Sequence, residues 1–348
     1  MSTIPPYISD ILSQPEALHS CLEQYPRRVL DKLATATRQS RFTHIVLTGM
    51  GASSTGTYPA WLILARSGLP VNSIETAELL HYALAQIDAR TLLWVISQSG
   101  YSVEILSLLN HFSGEHAPAA MLGITNDLSS PVGQRCSPVL NICAGDENTV
   151  STRTYMNTLA VTQLAALQLI GEEIGPAIDQ FYAGIDQIAA YLANWQEWVA
   201  ELKQRVGFPK RLIIVGRGTS LAAVTTGGLI LKEAAKYNAE GMSSAMFRHG
   251  PLELADDTLT LLIYEGAQPT AKLNHDLGLE VQHLGGHVFW LSTQEDAEVP
   301  TILLPAGGEL VRPMLEILPL QMLSICLAKY AGFEPGKFRN IGKITKTE

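Results

Sequence analysis

Short apolar runs alternate with longer stretches of helical period along most of this chain. The runs fall at 44–49, 69–74, 91–96, 120–125 and 139–143, and again, beyond a long helical stretch, at 211–216, 259–264, 288–292 and 301–304. Runs this short, bounded by glycine, serine or proline, read as strands buried on both faces. Residues 102–112 and 155–170 instead repeat their apolar positions at helical spacing, and 172–205 is a further helical stretch. Strands alternating with helices predict parallel sheets covered on both faces, a doubly wound α/β architecture of flavodoxin-like or Rossmann-like type.

The pattern occurs twice. His44-Ile45-Val46-Leu47-Thr48-Gly49-Met50-Gly51-Ala52-Ser53 lines up with Arg211-Leu212-Ile213-Ile214-Val215-Gly216-Arg217-Gly218-Thr219-Ser220, and both read strand, glycine turn, helix. Two sheet domains follow, a first at 1–190 that includes N-terminal helices and a second at 191–334, with 335–348 as a C-terminal tail. The junction is expected within about 172–205, where Trp195 and Trp198 stand three apart on a packing face. Gly207-Phe208-Pro209 then ends the helices and leads into the second sheet.

Composition narrows the partners. The 348 residues are 47% hydrophobic and 16% charged, enough core for about two domains. A formal net charge of −9 with no Lys/Arg tract removes the electrostatic term that dominates nucleic-acid binding, so no nucleic-acid partner is expected. No apolar run approaches a membrane span, and Met1-Ser2-Thr3-Ile4-Pro5-Pro6 lacks the basic and apolar regions of a signal peptide. The expected compartment is cytoplasmic, with no membrane partner. Cys21, Cys136, Cys143 and Cys326 are scattered without metal-ligand or redox-motif spacing and read as reduced, packed thiols; no metal is expected.

Chemistry concentrates after the run at 91–96. Ser97-Gln98-Ser99-Gly100-Tyr101-Ser102 follows that strand and precedes the helix at 102–112. A strand end of this kind delivers hydroxyl and amide donors to the mouth of a parallel sheet, where the next helix adds unpaired N–H groups and the positive end of its dipole. A phosphate ligand is the expectation. An ordinary capped turn is the bland alternative, but five hydroxyl or amide side chains in six residues exceed what a cap needs. At the matching point of the second half stands Glu265-Gly266-Ala267, whose carboxylate repels phosphate, so one phosphate site per chain is expected.

Other candidates carry their own bland readings. Gly49-x-Gly51-x-x-Ser54 approaches a dinucleotide fingerprint, with Glu75 as a ribose-binding acid, yet serine replaces the third glycine that permits tight helix–sheet packing. Ser151-Thr152-Arg153-Thr154 opens the helix at 155–170 as further donors or as a simple cap. Glu233, in a mostly apolar helix, is a candidate proton-transfer group or an exposed charge paired with Lys236. His249, ahead of Gly250-Pro251, is by itself a structural loop histidine.

Together these pieces resemble the sugar isomerase (SIS) domain family, specifically double-domain members such as the isomerase half of glucosamine-6-phosphate synthase. The resemblance runs over nearly the whole chain. It rests on Met50-Gly51-Ala52-Ser53, Ser97-Gln98-Ser99-Gly100, Ser151-Thr152-Arg153, Gly216-Arg217-Gly218, Leu231-Lys232-Glu233, His249-Gly250-Pro251-Leu252 and Phe338-Arg339-Asn340-Ile341-Gly342-Lys343, in that order. It implies two SIS domains in which Ser53, Ser97, Gln98, Ser99, Ser102 and Ser151 hold a sugar phosphate, with Arg153 a further possibility. It also implies that Glu233 moves a proton between C1 and C2, that His249 opens the ring, and that Lys343 lies on the tail that closes over the sugar. The family's histidine comes from a neighbouring subunit, which implies a homodimer with shared active sites.

Three departures turn the expectation from synthesis toward breakdown. The chain begins at the isomerase half, with no glutaminase domain and no N-terminal nucleophilic cysteine. Ile230 stands where the synthase helix has a lysine one turn before its glutamate, and Thr226 replaces a further glutamate. The run Phe247-Arg248-His249-Gly250-Pro251-Leu252-Glu253 is more similar to the fructosamine-6-phosphate deglycases, which brings in Arg248 as a possible site residue. The expected activity is therefore deglycation or isomerisation of a 6-phosphorylated amino sugar by C1–C2 proton transfer, with no cofactor. Aldose–ketose isomerisation, glucosamine-6-phosphate deamination and non-catalytic phosphosugar sensing are the alternatives.

Overall fold

A computed structural model describes residues 4–112 and 117–347. The chain divides into two compact units, one of Glu16–Tyr182 with Arg339–Glu348 and the other of Met1–Pro15 with Ala183–Phe338. The first contains five parallel strands, β1 (His44–Gly49), β2 (Val71–Glu75), β3 (Thr91–Ile96), β4 (Ala120–Thr125) and β5 (Val139–Asn141), in the order β2-β1-β3-β4-β5. The second contains β6 (Arg211–Gly216), β7 (Ala239–Ser243), β8 (Leu259–Tyr264), β9 (His287–Ser292) and β10 (Thr301–Leu303), in the order β10-β9-β8-β6-β7. Read from the other edge, the second order repeats the first. Both are the flavodoxin-type doubly wound order, in which the chain reverses direction across the sheet beside its first strand. Ligands in such sheets bind outside the carboxyl ends of the strands at that reversal, here beside β1 and β3 or β6 and β8.

The apolar runs form the central strands because every residue of β3 and β8 is buried. In the first unit Leu93 and Val95 pack with Ile105 and Leu108 of the helix Val103–His111. In the second, Ile213, Leu261 and Ile263 pack with Leu277 and Val281 of the helix Ala271–His283. Each such side chain contributes roughly 1.5–3 kcal/mol on leaving water, which holds the strand ends, and the loops on them, in place.

β7 is the strand that apolar patterning does not find. Ala-Glu-Gly-Met-Ser has no β-branched residue, and it forms a strand because it pairs along β6, from Leu212 opposite Ala239 to Gly216 opposite Ser243. A Cβ on Gly241 would stand 2.1 Å from the Val224 carbonyl oxygen, so glycine there lets the helix Leu221–Ala235 cross directly against the strand.

The units are also not contiguous, whereas the sequence predicts domains at 1–190 and 191–334 followed by a tail. The helix Pro6–Leu12 belongs with the second sheet, because Tyr7 Oη and Ser324 Oγ are 2.9 Å apart and Gln14 Nε2 donates to Gln321 Oε1 at 3.0 Å. Ser324 and Gln321 lie on the buried helix Arg312–Tyr330. The last residues return to the first unit, where the Val103 amide donates to the Thr345 carbonyl at 3.2 Å. The expected helical junction is the helices Gly175–Ala193 and Trp195–Arg205, in which Trp198 stacks on Tyr191 at 4.7 Å. No described helix is long and apolar enough to cross a membrane.

Candidate active site

The carboxyl end of β3 carries the loop the hydroxyl cluster singled out. The Ser97 amide continues the ladder to the Ile124 carbonyl at 3.0 Å, and the Gln98 carbonyl accepts from the Asn126 amide at 3.0 Å, so the end of β4 fixes the loop's path. Gly100 adopts φ +70°, and a Cβ there would lie 2.1 Å from Ser130 Oγ. Both its backbone and its surroundings require glycine.

Within this loop the serines accept from the backbone. Gly100 N donates to Ser97 Oγ at 3.0 Å, Tyr101 N to Ser99 Oγ at 3.2 Å, and Gln98 N to Ser53 Oγ at 3.4 Å. A hydroxyl that accepts an N–H still has its own hydrogen to give. Ser53, Ser97 and Ser99 therefore form a preset group of O–H donors suited to an anion. Ser102 is the N-cap of Val103–His111, with φ −59° and ψ 144°, but its side chain makes no capping bond. Its hydroxyl is left unused by the cap, at a helix start whose first amide, that of Val103, goes to the Thr345 carbonyl.

Ser151 is differently engaged. Its Oγ lies 2.6 Å from Thr154 Oγ1, and Thr154 Oγ1 donates to Glu147 Oε2 at 2.6 Å, so the Ser151 hydrogen points to Thr154. Glu147 is the organiser of this corner and was not evident from the motifs. Its Oε1 accepts from the Thr152 amide at 2.9 Å, the Thr152 hydroxyl at 2.8 Å and the Thr154 amide at 3.2 Å. A glutamate from the preceding loop thus caps the helix Arg153–Ile170 in place of its own N-cap, Thr152, which makes no side-chain cap bond. Lys343 Nζ completes the set, donating to Glu147 Oε2 at 2.5 Å and to the Thr149 carbonyl at 2.7 Å. Burial pushes the Glu147 carboxyl up, but the Lys343 charge and the converging hydrogen bonds outweigh it and hold the group below the ordinary carboxylate range. Arg153 turns its guanidinium back onto the Asp146 carbonyl.

The remaining candidates lie in the second unit. Glu233 is half-buried on Leu221–Ala235, one turn before the helix ends at Lys236, a left-handed residue at φ +55°. Lys236 Nζ donates to the carbonyls of Glu233 and Lys337. Ile230 is 1% exposed, so the position preceding Glu233 by one turn faces apolar core. Arg248 and His249 are exposed at the end of the helix Ser244–Arg248, and the Arg248 guanidinium pairs with Glu280. After β8, where the first unit has its serines, Glu265 Oε2 accepts from Ser292 Oγ at 2.7 Å. The first unit therefore holds Ser53, Ser97, Gln98, Ser99, Ser102, Ser151, Arg153 and Lys343, and the second holds Glu233, Arg248 and His249.

Residues 38–168 match the SIS domain family, and with the strand order above the first sheet is a SIS domain. The chain as a whole is similar to the glutamine–fructose-6-phosphate aminotransferase (isomerizing) of Mycobacterium bovis, 28% identical over 98% of this chain. It spans 58% of that relative's length. Among solved structures it is similar to the C-terminal domain of glucosamine-fructose-6-phosphate aminotransferase from Francisella tularensis, with TM-score 0.82, 21% identity and coverage of 97% of this chain and 99% of that one. Glucosamine-6-phosphate deaminase from Thermotoga maritima matches with TM-score 0.76 and 16% identity, over 98% of this chain and all of that one.

Proposed function

We propose that this chain is a phosphosugar-processing enzyme that releases an amine from a 6-phosphorylated amino sugar of the fructosamine type. The observation that carries the phosphate is the group of serine hydroxyls that accept from the loop backbone and keep their hydrogens for an anion. The named substrates of the similar proteins, fructose 6-phosphate and glucosamine 6-phosphate, support the same class. In this reading His249 assists ring opening and exposes a carbonyl at C2. Glu233 takes a proton from C1, leaving an enolamine, and a proton is returned at C2. The product is a C1 imine, which water splits into glucose 6-phosphate and free amine. The substrate's own carbonyl and nitrogen take up the electron pair, and proton transfer of this kind supplies about 10²–10⁴ in rate.

Lys343, placed by Glu147, brings the tail to the sugar. His249 is exposed, as a residue offered to a neighbouring subunit would be, and a homodimer with shared sites is part of the proposal. Two features favour amine release over amination. The Ile230 position is apolar and buried and relays no proton, and Arg248 stands before the histidine. The test is the product spectrum when the purified chain meets 6-phosphorylated fructosamines, glucosamine 6-phosphate and fructose 6-phosphate. Glucose 6-phosphate and free amine from the fructosamines are expected. Turnover of fructose 6-phosphate alone would replace this reading with plain aldose–ketose isomerisation.

A further inference from the structure

The carboxyl end of the second sheet carries a half-open cavity of about 340 Å³. Its polar lining is Glu265 and Gln268 after β8, Ser292 at the end of β9 and Thr293 after it, and Arg312 and Glu316 on the helix Arg312–Tyr330. In strand order this is the same place that carries the serine loop in the first sheet. Its volume is at the lower end of the ~300–1,000 Å³ usual for small-molecule sites.

Two buried polar atoms in its wall lack partners. Glu316 is 2% exposed; one of its oxygens accepts from Ser220 Oγ at 2.8 Å, while Oε2 has no hydrogen bond. Arg312 uses Nη1 on the Gly266 carbonyl, while its buried Nε–H has no acceptor. Buried polar atoms in native proteins are almost always paired, and leaving one unpaired is costly. Both belong to residues that line this one cavity, and a ligand entering it would supply their partners as the two side chains turn toward it.

We propose that this cavity is a second small-molecule site, specific for an unphosphorylated polyol that carries an amine. The donor set selects that chemistry. Glu265 has an oxygen beyond the one Ser292 occupies and suits an ammonium. Burial first, and the nearby Glu265 charge, push the Glu316 carboxyl up to about 8 against the opposing pull of Ser220 and Arg312. Near neutrality it is mostly protonated and donates from Oε2. That O–H and the Arg312 Nε–H both need acceptor oxygens, which the hydroxyls of a polyol provide. A phosphate would instead face the Glu265 carboxylate with none of the hydroxyl loop of the first sheet.

The experiment is titration of the full chain with D-glucosamine as probe, followed by calorimetry and by backbone amide shifts. Saturable binding is expected, with shift changes at Gly266, Ala267 and Thr293. Glu265→Gln should weaken it about tenfold or more, the loss of one charged hydrogen bond. Ser99→Ala should leave it unchanged, and inorganic phosphate should not compete. Shift changes at Gln98–Tyr101 instead, competition by phosphate, or no binding at tens of millimolar would each overturn the proposal. The shift map of the unaltered chain decides the matter even if Glu265→Gln fails to fold.

Discussion

Lys343 Nζ donates to Glu147 Oε2 at 2.5 Å, and the Glu147 side chain is wholly enclosed while that of Lys343 is 20% exposed. One residue lies five positions before Glu348 and the other caps the helix Arg153–Ile170, 196 positions apart in sequence. Removing one partner of such a pair leaves a buried charge uncompensated, at about 3–5 kcal/mol. Lys343→Met should fall near the low end, because Thr152 and Thr154 still donate to Glu147. The double variant Lys343→Met/Glu147→Gln should recover part of the loss, and urea unfolding of the four chains measures the coupling. Because the Glu147 carboxyl is lowered in the folded state, its stabilisation is present above the unfolded value of 4.5 and disappears as pH falls through the folded one. Glu147→Gln should flatten that acid limb.

Glu316 behaves with the opposite sign. Its folded value of about 8 stands above the ordinary 4.5, so the folded chain binds the extra proton between those limits. Stability from this group is full below about pH 4.5 and is lost progressively up to about pH 8. Glu316→Gln should raise the melting temperature relative to the parent chain more at pH 8.5 than at pH 5. An equal difference at both pH values would remove the assignment of a neutral carboxylic acid.

Ser99→Ala should weaken 6-phosphosugar binding roughly tenfold or more, the scale of one hydrogen bond to a charged group, with the circular dichroism unchanged. Ser97→Ala should cost more, since it also strips the buried Gly100 amide of its acceptor. Calorimetry with a phosphorylated and an unphosphorylated sugar separates the two effects, because only the first ligand uses the loop.

Glu233→Gln should abolish exchange of the substrate C1 proton with solvent deuterium while ligand binding survives. His249→Ala should slow turnover of ring-closed substrate more than that of an open-chain analogue. Exchange followed by proton NMR checks the first, and paired kcat/KM values check the second.

The sheets were legible because each apolar run is a strand buried by its neighbours, and the serine loop because its donors are adjacent in sequence. What escaped is held by distant contacts. β7 exists through pairing with β6, not through its own residues. Glu147 takes its meaning from the fold around it: the adjacent acids Asp146 and Glu147 look like solvated loop charges until the chain brings Thr152, Thr154 and Lys343 onto the second of them. Tyr7 and Gln14 likewise show a helix but not its destination, which Ser324 and Gln321 decide from more than three hundred residues away.

The Val103 amide opens the helix behind the serine loop, and it donates to the carbonyl of Thr345. One N–H has one hydrogen. While the Thr345 carbonyl holds it, that hydrogen is not offered to a phosphate, so an anion at the loop would draw on the serine hydroxyls with the segment of Lys343 and Thr345 left in place. That segment is thereby fastened at two points, to Glu147 and to the first amide of the helix behind the serine loop, which makes it part of the frame that holds the loop.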